Sequence, residues 1–235
     1  ETGLEETRQM MGALSSNRIR VDRLDVADPD AIERYAATIR ESLGDADFVF
    51  NIAGLTRVGS FEETPLSSFE KIMDVNFWGV IRMSKAFLPQ LLATKGGLVN
   101  ISSLFGFIGY AGQAHYCASK FGVRGFSETI AQELADKGVR VTSVHPGGVA
   151  TSIARNAAID AMPAQYKEKR ELDARFDKAA ITSAERAAEI ILDGAARGKR
   201  RVVVGRDARI VSFIQRLFPE TYSNKLAMLL PKNVT

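Results

Sequence analysis

The spacing of apolar positions changes repeatedly along the chain, and each change marks an element. A mostly polar stretch over 4–14 predicts a helix. Ile19, Val21 and Leu24 then alternate with polar residues and predict a strand over 18–24. Short apolar runs at 47–50, 97–101, 139–144 and 201–204 read as buried strands. Longer segments with helical spacing lie between them. Asp28-Pro29 supplies a capping carboxylate and a first-turn proline for a helix to Leu43, which Gly44 can close. Thr64-Pro65 opens a long helix to about Ala93, with Phe69, Ile72, Met73, Phe77, Val80, Met83, Phe87 and Leu91 along one stripe. A further helix covers 113–136, with Gly138 past its end. Thr182-Ser183-Ala184-Glu185 is a capping box for a helix to about Arg197.

Strands alternating with helices at this spacing imply βαβ units. The predicted fold is α/β: a doubly wound, Rossmann-like parallel sheet with helices on both faces, in a single domain over 1–235. Residues 152–180 break the pattern with small and charged residues, which predicts a lid or binding loop. The segment 207–235 reads as an amphipathic helical tail, with Ile210, Phe213, Ile214, Leu217 and Phe218 at helical spacing and Pro219 ending the helix. From Arg197 to Thr235, nine Lys/Arg stand against Asp207 and Glu220. That stripe is expected to pack inside the protein or on a partner subunit, with a membrane surface as the less favoured alternative.

With 235 residues, 46% of them hydrophobic, the chain can bury a sizeable core. A formal charge of +3 does not argue for nucleic acid. One cysteine, Cys117, permits no internal disulfide and fits a reducing, cytoplasmic setting; it is expected to pack as a small apolar residue. Two histidines and one cysteine give no familiar metal-ligand spacing, so no metal is expected. No apolar run reaches the length of a membrane span.

The candidate chemistry centres on Ser103, Tyr116 and Lys120. Tyr116 and Lys120 are four residues apart, one turn along the same helical face. An ammonium beside a phenol favours the phenolate, so the Tyr116 pKa is expected to fall toward neutral and the phenol to exchange protons with a substrate oxygen. Ser103 follows the 97–101 run and can hold that oxygen. Asn51, Ser103 and Pro146-Gly147 all follow predicted strand ends, the rim where ligands of such sheets sit. Asn76 interrupts an apolar stripe, and a buried amide needs partners. A Ser-His-Asp hydrolase would require Gly-x-Ser-x-Gly, which is absent. His115 is read as structural or rim-lining.

In Ser103, Tyr116-x-x-x-Lys120, Asn51-Ile52-Ala53-Gly54, Asn76-Phe77-Trp78-Gly79 and Pro146-Gly147 with Thr151, the chain resembles the short-chain dehydrogenases/reductases. The resemblance runs from Glu1 to about Val204 and implies an NAD- or NADP-dependent oxidoreductase interconverting an alcohol and a ketone or aldehyde. It implies catalytic roles for Asn76, Ser103, Tyr116 and Lys120, with Asn76 supporting a proton relay. It places Asp25 and Val26 at the adenine and Asn51, Ala53 and Gly54 beside the cofactor. Tyr116 and Lys120 border the nicotinamide ribose, and Pro146, Gly147, Val149 and Thr151 the nicotinamide. Ile52 departs from the family's second Asn, and His145 stands where the family often has Asn. The family's Gly-rich phosphate loop is not present in the 235 residues, so the first βαβ segment is expected to precede Glu1. The helices over 65–93 and 113–136, with Phe87, Leu91, Phe121, Phe126, Gly122 and Gly125, are expected to pair in a homodimer or homotetramer. Leu55, Leu104, Phe105 and Phe107 suggest a largely apolar small-molecule substrate. The rival reading is a dinucleotide-binding regulator on the same fold, without turnover.

Overall fold

The computed structural model describes residues 2–11, 19–163 and 166–229. Its core is a four-stranded parallel sheet in the order β1 (Phe48–Asn51), β3 (Gly97–Ile101), β4 (Arg140–Pro146), β6 (Arg201–Val204). Side chains alternate between its faces, as the pleat requires. Val49, Leu98 and Val141 point into one cluster with Ala36 of α2 (Pro29–Leu43), Phe87 and Leu91 of α4 (Gly79–Thr94) and Ala131 of α5 (Ala114–Glu133). Val99, Val144, Val202 and Val204 point into the other, against Ala187 and Ala195 of α8 (Ala184–Ala196). Helices therefore cover both faces, which is the doubly wound arrangement.

Helix ends follow the local chemistry. The Asp28 carboxylate accepts from Ala31 N at 2.9 Å, and Gly44 closes α2 at φ 88°, a left-handed conformation that suits glycine. The cap of α8 lies one residue later than the capping-box reading: Ser183, not Thr182, accepts from Arg186 N. Thr182 is engaged instead with the 148–150 turn, exchanging backbone hydrogen bonds with Gly148 and Ala150. The predicted long helix over 64–93 is α3 (Leu66–Met73) and α4, joined through a π-helical turn at Asp74–Trp78. Such turns open the backbone ladder and recur at functional sites.

Three expectations are corrected. Residues 19–25 form no strand. Their pattern suits one, but a strand needs a hydrogen-bonded neighbour, and none among the described residues runs beside them. The end of the predicted 4–14 helix falls partly outside the described residues; α1 is Thr2–Met10. Second, 152–180 is not irregular. It holds α6 (Ser152–Arg155), β5 (Ala158–Ile159) and α7 (Lys169–Ala179), and β5 pairs in parallel with β2 (Arg57–Val58). Asp160, its side chain 3% exposed, accepts from both Arg57 and Ser68, which ties this segment to the body of the domain.

Third, the tail helix α9 (Arg206–Leu217) leaves Ile210, Phe213 and Leu217 exposed, and Phe218 after it is exposed too, so this stripe is not buried within the chain. A second helix, α10 (Tyr222–Leu229), follows, and the Tyr222 hydroxyl accepts from Gly109 N at 2.9 Å. Among the described residues no helix is long and apolar enough to cross a membrane.

Candidate active site

The site forms where β1, β3 and β4 end and α5 begins. The buried Lys120 side chain runs along α5 back toward β3, where its Nζ donates to Ile101 O at 2.9 Å. The same Nζ lies 5.6 Å from the Tyr116 ring centroid, so the one-turn spacing does bring the pair together. The electrostatics differ from the sequence expectation. Burial pushes the Tyr116 phenol up to about 12, and the nearby Ser103 hydroxyl opposes this only in part. Burial also pushes the Lys120 ammonium down to about 8. The Lys120 ammonium meets a carbonyl and lies over the ring, and desolvation sets the direction of the phenol's shift. At neutral pH Tyr116 is therefore a neutral phenol.

Asn76 occupies the middle of the π-helical turn, fully buried. Its amide closes a two-way pair with the Leu55 backbone, accepting from N at 2.9 Å and donating to O at 2.8 Å, and also donates to Ser119 Oγ at 3.2 Å. This pins the 51–55 turn. A Cβ on Gly54 would stand 3.3 Å from Asn76 Oδ1 and 3.6 Å from Lys120 Nζ, so Asn76, Gly54 and Lys120 share one small space. Asn51 differs from the expectation. Its Nδ2 donates to Ser84 Oγ and Asn100 Oδ1, and Asn100 donates to Ser127 Oγ, a buried ladder that turns the Asn51 side chain away from the rim. Only the backbone of that turn, with exposed Ile52 and Ala53, faces outward.

Ser103 caps the short 3₁₀ turn Leu104–Gly106, its Oγ accepting from Phe105 N at 3.1 Å. Phe105 stands edge-on to Tyr116 and stacks on Tyr110 at 5.0 Å, forming an aromatic wall beside the phenol. Phe107 is buried and turned away from this wall, stacked on His145. The turn after β4 is held from two sides. Gly148 N donates to Asp207 Oδ2 at 2.6 Å, and a Cβ on Gly147 would overlap the same carboxylate. A bridge pairs Val149 with Thr182. Thr151 is exposed at the start of α6, its side chain making no cap bond. Asp25 and Val26 lie in the segment that leads into α2. The Asp25 carboxylate accepts from Ala27 N, and Val26 packs on Gly79 at the start of α4.

Sequence reasoning gave no role to four participants. Asp207 and Gly148 meet across 59 residues, and no local pattern announces such a contact. His145 and Ser143 sit on β4 directly before the Pro146-Gly147 turn, a position that could have flagged them. His115 is structural: it is buried against Phe69, and its Nδ1 accepts from Tyr116 N at 2.9 Å. Cys117 is buried, as expected for a small apolar residue.

A model of the short chain dehydrogenases matches residues 1–161, more than half of the chain. The chain belongs to the short-chain dehydrogenase/reductase family. An oxidoreductase of Mycobacterium tuberculosis named SadH is 40% identical over 229 residues, covering 96% of this chain and 81% of that protein. The mitochondrial D-beta-hydroxybutyrate dehydrogenase of Bos taurus is 36% identical over 149 residues, covering 61% of this chain and 43% of that protein. The crystal structure of a short-chain dehydrogenase from Streptomyces avermitilis superposes with a TM-score of 0.78 at 28% identity, covering 95% of this chain and 86% of that one. A short-chain dehydrogenase/reductase of Burkholderia phymatum, in complex with NAD, shares the fold with a TM-score of 0.81 at 21% identity, covering 93% of this chain and 82% of that one. The family uses NAD or NADP.

The residues present fit the nicotinamide-ribose end of such a cofactor. Among the described residues the buried Lys120 ammonium has one carbonyl acceptor, which leaves two N–H groups for ligand hydroxyls. The glycines at 54 and 147 keep side chains out of the space beside it. Among the described residues no group of acidic, His and Cys side chains could hold a metal ion.

Proposed function

We propose that this chain is an NAD(P)-dependent oxidoreductase interconverting an alcohol and a ketone or aldehyde, with Tyr116 as acid/base. The observation that carries this reading is the convergence of Ser103, Tyr116 and Lys120 where β3 ends and α5 begins. Ser103 hydrogen-bonds the reacting oxygen. In reduction Tyr116 gives that oxygen its proton, and in oxidation it takes the hydroxyl proton. Lys120 stabilises the phenolate as it develops and holds ribose hydroxyls. Asn76 fixes the 51–55 turn against Lys120 and supports the proton path. The nicotinamide, when bound, supplies the hydride chemistry. Backbone groups of the 53–54 and 146–149 turns would hold it, with Pro146, Val149 and Thr151 at the nicotinamide end and Asp25 and Val26 at the adenine end. The aromatic wall of Phe105 and Tyr110 suits a largely apolar substrate, and the folded 152–180 segment serves as the lid beside it.

A panel of alcohols and carbonyl compounds, assayed with NAD(H) and with NADP(H), tests this. Turnover of at least one class with one cofactor is expected. Cofactor binding without turnover over a broad panel would instead favour the dinucleotide-binding regulator.

Assembly is proposed as a homodimer or homotetramer, with a revised contact surface. Phe87 and Leu91 are core residues, 4% and 0% exposed, and cannot meet another subunit. Gly122 is needed within the chain, because a Cβ there would stand 2.9 Å from the Phe77 ring. Leu66, Trp78, Leu92 and Phe121 are the exposed large apolar residues on the same helical segments. A dimer or larger species is expected by light scattering at micromolar concentration; a monomer would refute the assembly.

A further inference from the structure

Ser103 can hold a reacting oxygen only if its peptide is held still, and the structure shows what holds it. The Ser103 carbonyl accepts from Gly106 N at 2.9 Å and meets His145 Nδ1 at 3.1 Å. His145 is 0% exposed, and its other ring nitrogen, Nε2, lies 3.0 Å from the Ser143 hydroxyl. A carbonyl can only accept, so Nδ1 must carry the proton, Nε2 must accept, and the Ser143 hydroxyl must donate. One neutral tautomer satisfies both contacts. Burial pushes the imidazole pKa down to about 4, so that neutral form persists across ordinary working pH. The ring plane is held as well, stacked on Phe107 with centroids 4.1 Å apart. Arg124 and Arg201 both lie over Phe107 and both bond Glu128, which steadies the stack from outside.

We propose that His145 is a positioning residue: through one fixed tautomer it ties the Ser103 peptide to the end of β4, aligning the substrate-oxygen holder with the Pro146-Gly147 turn that follows it. This rests on the functional reading above, in which Ser103 meets the substrate oxygen. Ser103 stands on the loop after β3 and the cofactor turn stands on the loop after β4. Neighbouring strand ends can drift relative to one another, and a misplacement of about 1 Å at a reacting group can lower turnover about 10²-fold. A single imidazole bridging the two loops removes that freedom.

The test compares His145→Phe, His145→Asn and Ser103→Ala in the full chain with the best substrate of the panel. His145→Phe keeps an aromatic ring for the Phe107 stack and removes both hydrogen bonds. It is expected to lower kcat about 10- to 100-fold while the KM for cofactor stays within about threefold. His145→Asn places an amide N–H near the former Nδ1 position and is expected to recover most of that loss. Nitrogen-15 spectra of the ligand-free parent are expected to show His145 protonated at Nδ1 and bare at Nε2. A kcat within about twofold of the parent for His145→Phe, an equal loss in both His145 variants, or protonation at Nε2 each overturns the proposal. If His145→Phe does not fold, the His145→Asn kinetics and the parent spectrum decide. Ser103→Ala separates the two levels: full activity there defeats the functional reading itself, whereas its loss beside an active His145→Phe defeats only this inference.

Discussion

Tyr116→Phe is expected to fold like the parent and to lose turnover by at least about 10²-fold, the lower end of what a positioned acid/base contributes. The substitution removes one oxygen. The edge-on contact with Phe105 and the Lys120 contact over the ring both survive, so the melting temperature should change little. What disappears is the phenolic proton proposed to move to and from the substrate oxygen. Burial pushes the phenol up to about 12, which makes it a proton donor at neutral pH. In the reducing direction the parent's rate should therefore fall as pH rises through about 8, where Lys120 loses its charge and no longer stabilises the developing phenolate. Steady-state kinetics over pH, with thermal melts of both proteins, check this. Residual activity of the variant within about tenfold of the parent would remove Tyr116 from the mechanism.

Gly148→Ala is expected to be the most damaging single-methyl addition in the turn after β4. A Cβ at this position would stand 1.8 Å from the Ala179 carbonyl oxygen and 2.6 Å from its carbon. Both are backbone atoms, so no rotamer change relieves the overlap. Gly148 is bonded on two further sides, its N to Asp207 and its O to Thr182 N. Either the turn or the α7–α8 connection must move. Overpacking of this kind costs about 1–3 kcal/mol, and each kcal/mol lowers the melting temperature by about 2–4 °C in a domain of this size. The displaced turn should also raise the KM for cofactor about tenfold or more. Hydrogen exchange across 166–180, which leads into that connection, should quicken in the ligand-free protein. Gly125→Ala is the control, since its Cβ would meet nothing within 4 Å. An unchanged melting temperature and an unchanged cofactor KM in Gly148→Ala would show that the turn is not clamped as described.

The sequence by itself determined the α/β class, the four buried strands and the helices between them. Those features depend on local periodicity and capping chemistry, as with Asp28 and Gly44 around α2. It also singled out Ser103, Tyr116 and Lys120 as candidates, because two of them share a helical face and the third follows a buried strand. Tertiary structure decided whatever depends on neighbours distant in the chain. Residues 19–25 carry a strand pattern and form none, since a ladder needs a partner and the described residues offer none there. Asn51 turns inward because Ser84 and Asn100 are waiting for its amide. The Tyr116 pKa rises although a lysine lies one turn away, because desolvation depends on the whole surroundings of the phenol and spacing reports only one neighbour. Asp207 reaches the 146–148 turn, and His145 reaches Ser103, only once four parallel strands have brought their ends to one edge. Periodicity records which face a side chain takes; which groups meet across that edge is set by the packing of the sheet.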